Sequence, residues 1–405
     1  MKRNRKAKII ATLGPKTSNA NVIEKLFKAG TDVFRLNFSH GTIEDHRKNI
    51  EYVRLLEEKY DHSSCILADL QGPKLRIGNF LNKKVKLKKG QKFILDLNNE
   101  PGDKNRVNFP HKDIFDILTP NTIILIDDGK IKMQIIKQDN KSLTSEVLND
   151  CEISDNKGVN IPDAILPISS LTSKDKIDLN KAIDMGADWI ALSFIQSVDD
   201  VIELRKLIGN KAAIIAKIEK PSAVKNIKNI IQEADGIMIA RGDLGVEIPP
   251  ETLPAIQKKI INECRKVGKP VVVATQMLES MVDNPTPTRA EASDVANAIY
   301  DGADAVMLSG ESAIGNFPVE AVSMMNKIIE SVEIDKENYD LSEHSENLVS
   351  KKINSTEAIT NAAYTIAKNA QAKAVITFSV SGGTTLRMSK ERAPVQIVWI
   401  SPNLA

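Results

Sequence analysis

Aromatic residues make up only 4 % of this 405-residue chain, and it holds five histidines and three cysteines. Each scarcity closes off a class of function. Lysine and arginine (55) are nearly matched by aspartate and glutamate (53), for a net charge of +2. With few aromatics among those lysines, the chain lacks both the charge excess and the stacking surfaces of a dedicated nucleic-acid binder. Cys65, Cys151 and Cys264 are far apart, odd in number and without metal-ligand spacing. They fit a reducing compartment better than a disulfide framework. No apolar run is long enough to span a bilayer. The basic start Met1 to Lys6 is followed by only a brief apolar run before Gly14-Pro15, so it is not read as a secretion signal, and cytoplasm is the expected location.

What is present is a rhythm. Apolar runs at Ile9–Thr12, Val33–Asn37, Cys65–Asp69, Trp189–Phe194, Ala213–Ile218, Gly236–Ala240, Val271–Thr275 and Ala305–Ser309 alternate with segments of helical spacing. Among the latter are Asn21–Ala29, His46–Lys59, Val201–Ile208, Ala223–Ala234, Leu253–Val267 and Arg289–Tyr300. Runs apolar on both faces are those of buried parallel strands. Eight strand-then-helix units predict an α/β fold, a (β/α)8 TIM barrel. An echo of Gly, Ala and Asp before four strands (Gly30 to Asp32, Gly186 to Asp188, Ala234 to Gly236, Gly302 to Asp304) reads as helix stops, with glycine supplying the left-handed cap.

The rhythm breaks after the third strand. From about Gly78 to Leu166 the chain shows short alternating runs punctuated by Gly, Asn and Asp, which predicts a small inserted β-barrel domain at the catalytic end, placed as a lid. Its lysine-rich stretch, Lys83 to Lys92, reads as a solvated hairpin face. The expected boundaries are 1–73 and 167–333 for the barrel, 74–166 for the lid, 334–354 for a polar linker and 355–405 for a partial α/β regulatory domain. That last unit reads as incomplete, with a helix over Thr356–Asn369, strands at Ala374–Phe378 and Val395–Ile400, and a helix from Gly383 to Lys390.

Barrel active sites lie at the carboxyl ends of the strands. There the sequence places Arg35, Asn37, Ser39 and His40; Asp69, Lys74 and Arg76; Lys217 and Glu219; Arg241 and Asp243; Thr275 and Gln276; Ser309 and Glu311. Glu219 and Asp243 are hard oxygen donors suited to Mg²⁺ or Mn²⁺, or else a pair of acids neutralised by Arg241 and Lys217. Arg35, Arg76 and Lys217 are expected to converge on one anionic group, the clamp that phosphoryl transfer needs. Thr275 and Ser309 have no histidine base nearby, so they read as proton carriers, carboxylate holders or backbone caps rather than nucleophiles. Thr288 with Glu291 is a capping box.

The strings Arg35-Leu-Asn-Phe-Ser-His-Gly41, Ala216-Lys-Ile-Glu219, Ala240-Arg-Gly-Asp-Leu-Gly-Val-Glu-Ile-Pro249, Ala274-Thr-Gln-Met-Leu-Glu-Ser-Met281 and Met307-Leu-Ser-Gly-Glu311, in this order, resemble the pyruvate kinase family. The resemblance runs from about Lys8 to the last residue. It implies phosphoryl transfer from phosphoenolpyruvate to ADP, giving pyruvate and ATP. It further implies Glu219 and Asp243 as ligands of Mg²⁺ or Mn²⁺, and Lys217 beside the phosphoryl group. Arg35 and Arg76 are implied at the phosphates, with Asn37, His40 and Arg76 toward the nucleotide. Ala240, Gly242, Asp243 and Thr275 are implied at the substrate, and Thr275 and Ser309 on the path of the proton. A homo-oligomer is the family's expectation.

Two departures stand out. Where many members read Asp-Thr-Lys-Gly-Pro-Glu, this chain has Asp69-Leu-Gln-Gly-Pro-Lys74. The region of Asn37, Ser39, Asp69 and Lys74 would hold the family's potassium ion; Leu70 removes an oxygen ligand and Lys74 brings its own charge, so the expectation is catalysis without K⁺. The family's terminal domain continues past the point where this chain stops, so the effector-type loop Ser379–Thr385 is expected to lack its usual downstream partners. Two alternatives stay open at this level: a Mg²⁺-dependent aldolase acting on pyruvate enolates, and a non-catalytic remnant.

Overall fold

A computed structural model describes residues 3, 5–162, 164–335, 355–391 and 395–402. Eight strands close into a parallel barrel: β1 (Lys8–Leu13), β2 (Val33–Asn37), β3 (Cys65–Asp69), β4 (Trp189–Leu192), β5 (Ala213–Ile218), β6 (Gly236–Ala240), β7 (Val271–Ala274) and β8 (Ala305–Leu308). Each pairs with its sequence neighbours, and β8 pairs with β1 through Lys8 and Ala305. The runs are apolar throughout because both faces are covered. Ile10, Leu67, Ala191, Ile215, Met238, Val272 and Met307 fill the interior, while alternate residues such as Ile9, Ile66, Ile190 and Ile214 pack under the helices. These apolar side chains fill the space inside the ring, so it is a packed core rather than a channel.

The Gly-Ala-Asp echo does more than stop helices. Asp32, Asp188, Asp235 and Asp304 each donate a backbone N–H to a residue of the strand before, and accept that same residue's N–H on a side-chain oxygen. The partners are Ile9, Ile66, Ile214 and Val271, with N–O distances of 2.8, 2.7, 2.8 and 2.9 Å for the side-chain bonds. The amides at the starts of β1, β3, β5 and β7 would otherwise lack partners, and buried unpaired N–H groups are costly. Gly30, Gly186 and Gly302 precede three of these aspartates with φ of 132°, 82° and 98°.

Capping boxes start the helices Ile43–Tyr60, Ser173–Asp184, Val198–Ile208 and Arg289–Tyr300, the last through Thr288 and Glu291 as its sequence predicts. The helix expected over Ala223–Ala234 is two pieces, Pro221–Lys225 and Ile227–Glu233, broken at Asn226. β4 and β7 end one or two residues earlier than their apolar runs, because Phe194 and Thr275 turn into the left-handed region (φ 55° and 69°).

The insert has its own core, including Phe93, Phe109, Phe115, Ile124 and Met133. Its strands divide into a six-stranded and a two-stranded sheet rather than one closed small barrel. The Lys83–Lys92 hairpin is not formed: Lys84–Leu87 pairs with Cys151–Ser154, and Lys92–Asp96 with Ser142–Val147. Alternation shows that strands exist but not which partner each takes. The lysines of that stretch are exposed, as expected.

Of the expected linker, Ile334 closes the eighth barrel helix, Pro318–Ile334, and residues 336–354 lie outside the described residues. The last unit has helices Ser355–Asn369 and Gly383–Lys390 and a parallel pair, Ala374–Phe378 with Gln396–Ile400. Among the described residues no helix is long and apolar enough to cross a membrane.

Candidate active site

The barrel gathers its charged strand-end residues into one buried network centred on Asp69. One carboxylate oxygen of Asp69 accepts from Arg35 Nε at 2.7 Å, and the other lies 3.1 Å from Lys217 Nζ. Lys217 also lies 2.9 Å from Glu219 Oε1 and donates to Ser193 Oγ at 2.7 Å. Glu219 Oε2 accepts from the Phe194 amide at 2.6 Å. Arg35 reaches Thr12 Oγ1 at 2.9 Å, and Thr12 in turn donates to Leu308 O. Strand order places them: β2 and β3 are neighbours in the ring and β5 is two strands from β3, so Arg35, Asp69 and Lys217 come from one side of the barrel.

Burial sets the electrostatics. It opposes the charge on Asp69, but Lys217 and Arg35 prevail and hold its carboxyl below the usual range. Burial also opposes the Lys217 ammonium, and Asp69 and Glu219 reverse this, so it stays charged well above neutrality. Glu219 is different. Its burial outweighs the help of Lys217, Asp243 adds like-charge repulsion, and its carboxyl is pushed up to about 7. A buried carboxyl pushed up in part by a neighbouring carboxylate is one that a divalent cation would relieve. Among the described residues no group of three or more acids, histidines or cysteines is arranged to hold a metal ion by itself. A metal here would take two protein oxygens and leave positions for substrate and water, as Mg²⁺ does. The residues present therefore fit the ion.

Asp243 lies not at a strand end but in the first turn of the helix Arg241–Glu247, which starts directly after β6. It lines a cleft between barrel and insert, with Lys74, Phe194, Asn160 and Lys220 among its walls. Ala240 ends β6, and the Gly242 amide donates to Thr275 Oγ1 at 2.7 Å. Thr275 and Gln276 both hold left-handed φ, 69° and 54°, which costs a non-glycine residue about 1–3 kcal/mol and tends to cluster at functional sites. Arg241 does not neutralise Glu219 or Asp243. It pairs with Asp294 at 2.7 Å and ties down the Thr275 and Gln276 carbonyls. Ser309 Oγ is buried without a hydrogen-bond partner, while Glu311 accepts the Ser309 and Leu278 amides.

Other predicted residues stand apart. Arg76 does not join Arg35 and Lys217; it is exposed, and its guanidinium donates to Asn156 O in the insert at 2.8 Å. Seven residues past the end of β3, it already bridges Gly158 and so belongs with the insert rather than the barrel. Lys74 is exposed in the cleft. Asn37 accepts the Ser39 amide at 3.1 Å, and Ser39 and His40 are exposed. Thr12 and Ser193 also join the network, bonded to Arg35 and Lys217. Both follow the same strand-end rule, Thr12 within β1 and Ser193 directly after β4, but an uncharged hydroxyl gives no signal until its charged neighbours are placed.

A closed (β/α)8 barrel with buried carboxylates and cations at its strand ends, beside an inserted β domain, defines a barrel enzyme built for an anionic substrate. Residues 4–322 match the family model "Pyruvate kinase, barrel domain" and residues 357–405 match "Pyruvate kinase, alpha/beta domain". A pyruvate kinase of Agrobacterium vitis is 48 % identical over 404 residues, covering 100 % of this chain and 83 % of the relative. One of Methylorubrum extorquens is 46 % identical, covering 99 % and 84 %. "Pyruvate kinase 2" of Synechocystis is 42 % identical, covering 99 % and 68 %. The crystal structure of a Cryptosporidium parvum pyruvate kinase superposes with a TM-score of 0.94 at 36 % identity, covering 98 % of this chain and 83 % of that one. The chain belongs to the pyruvate kinase family. Its reaction is the family's phosphoryl transfer from phosphoenolpyruvate, leaving pyruvate, in glycolysis, with ADP as the family's second substrate and a divalent metal in general use.

Proposed function

We propose that this enzyme makes ATP and pyruvate with Mg²⁺ or Mn²⁺ held by Glu219 and Asp243, and that it works without K⁺. The observation that carries this reading is the buried network of Asp69, Arg35, Lys217 and Glu219 beside Asp243. The ion, when bound, supplies Lewis-acid charge to substrate oxygens. Lys217, clamped between Asp69 and Glu219, is a cation whose position is set before substrate arrives. In phosphoryl transfer negative charge spreads over the equatorial oxygens, so a fixed ammonium and the Arg35 guanidinium lower the barrier more than they tighten binding. The Ala240–Gly242 backbone and Thr275 hydroxyl hold the substrate carboxylate. Thr275 and the unpartnered Ser309 hydroxyl lie on the proton's route to the enolate carbon. Asn37, His40 and Arg76 take the nucleotide, Arg76 from the lid side.

The Lys74 ammonium, five residues after Asp69 (whose register partner is Asn37) and exposed in the cleft, stands for the monovalent cation in charge though not in coordination. A cytoplasmic homo-oligomer is the expected setting. Titration of Mn²⁺ into the protein tests the metal site: wild type binds, and Glu219→Gln with Asp243→Asn binds at least about 100-fold more weakly. Equal binding by the double variant removes the assignment.

A further inference from the structure

We propose that Glu247, charge-paired to Lys220, is the docking post on which the lid closes, and that Asn160 is the lid's hook. Asn160 ends the two-residue strand Val159–Asn160, which pairs with Ile123–Ile126 of the insert through Leu125. Its side-chain amide leaves the insert and donates to Glu247 Oε1 at 2.9 Å. The same oxygen lies 2.8 Å from Lys220 Nζ. One carboxylate oxygen therefore takes one donor from the barrel and one from the lid. The insert's turn at Gly129 rests on the same helix, since a Cβ there would stand 3.6 Å from Val246 Cγ1.

The pair is built for a contact that comes and goes. The Glu247 and Lys220 side chains are only 1 % and 6 % exposed, and a buried ion pair costs desolvation that a well-packed apolar pair would not. Lys220 keeps Glu247 compensated when Asn160 leaves, so opening strands no lone charge. Glu247 Oε2 is buried with no partner, so the post also has unused acceptor capacity.

Its place in the chain couples the lid to chemistry. Lys220 directly follows Glu219, and Glu247 is one helical turn beyond Asp243 on the helix Arg241–Glu247. Seating the lid on the post therefore fixes both ends of the segments that carry the two carboxylates. Asn160, Lys220 and Glu247 are positioning residues in this account, and the coupling rests on the proposed function of the cleft only for its kinetic consequence.

Amide hydrogen exchange of the whole chain, without substrate, reads the docking alone. Asn160→Ala should speed exchange in Ile123–Ile126 and Val159–Ile161 by about tenfold, the size expected for one hydrogen bond to a charged acceptor. Barrel strands should exchange as in wild type. Asn160→Asp, which sets a like charge against Glu247, should speed it more. In steady-state assays kcat/KM for phosphoenolpyruvate should fall by up to the same factor. Unchanged lid exchange in both variants would overturn the docking. Asn160→Asp no worse than Asn160→Ala would overturn Glu247 as the partner. Faster lid exchange with wild-type kcat/KM would overturn the coupling to the carboxylates. A wild-type protein without turnover would defeat the proposed function, while the exchange comparison would still decide the docking.

Discussion

At the scale of single residues, the site is a problem of keeping a lysine charged where water is excluded. Asp69 and Glu219 do this for Lys217, and Ser193 adds an oxygen at 2.7 Å while bonding Leu70 O at the same distance. Ser193→Ala removes a neutral oxygen and no charge, so the fold should survive. Turnover should drop by about tenfold, the usual weight of a hydrogen bond to a charged group, with KM for phosphoenolpyruvate changing less; a variant with wild-type kcat would show that Ser193 only fills space. Lys74 is open to a sharper test. If its ammonium replaces a monovalent cation, wild type should be as active in a bulky-cation chloride as in KCl, and Lys74→Glu should become K⁺-dependent. Strong K⁺ activation of wild type would sink that idea. The acids at the strand ends were legible in sequence because charge inside an apolar run has few innocent explanations. Thr12, Ser193 and the Lys220–Glu247 pair were not, because their meaning lies in what the fold sets opposite them. Arg76 was misplaced for the converse reason: its number is close to Asp69, but the chain has by then left the barrel for the insert.

At the scale of elements, the barrel strands could be placed to within a residue or two because burial on both faces leaves long apolar runs. The insert's strands were visible but their pairing was not, since Lys84–Leu87 finds its partner more than sixty residues away at Cys151–Ser154. The aspartate echo shows how a weak repeat becomes physical. Each aspartate closes a small ring with the strand before it, and Asp32 also pairs with Arg3 and Arg5. Asp32→Ala would leave the Ile9 amide and two cations short of a partner at the non-catalytic end. Chemical denaturation should show a loss of at least about 2 kcal/mol, with kcat of the remaining folded enzyme unchanged; a loss under about 0.5 kcal/mol would mean that water replaces the aspartate there.

At the scale of the molecule, two separate apolar cores meet across the cleft, one in the barrel and one in the insert. The lid should therefore be weakened without the barrel. Phe109→Ala in the insert core should cost about 3–5 kcal/mol of local stability. Limited proteolysis should then cut within the insert first while the barrel's melting transition stays in place, and a single shifted transition would show that the two cores unfold as one. In the proposed mechanism a pre-set Lys217 cation, held by barrel acids, carries the phosphoryl transfer. The most direct test is ATP formation from phosphoenolpyruvate and ADP with Mg²⁺, in wild type and in Lys217→Met. The prediction is turnover in wild type and a loss of at least about 100-fold in kcat in the variant, the scale of removing one fixed charge from a transition state, with phosphoenolpyruvate still bound. Comparable kcat values in the two proteins would contradict it.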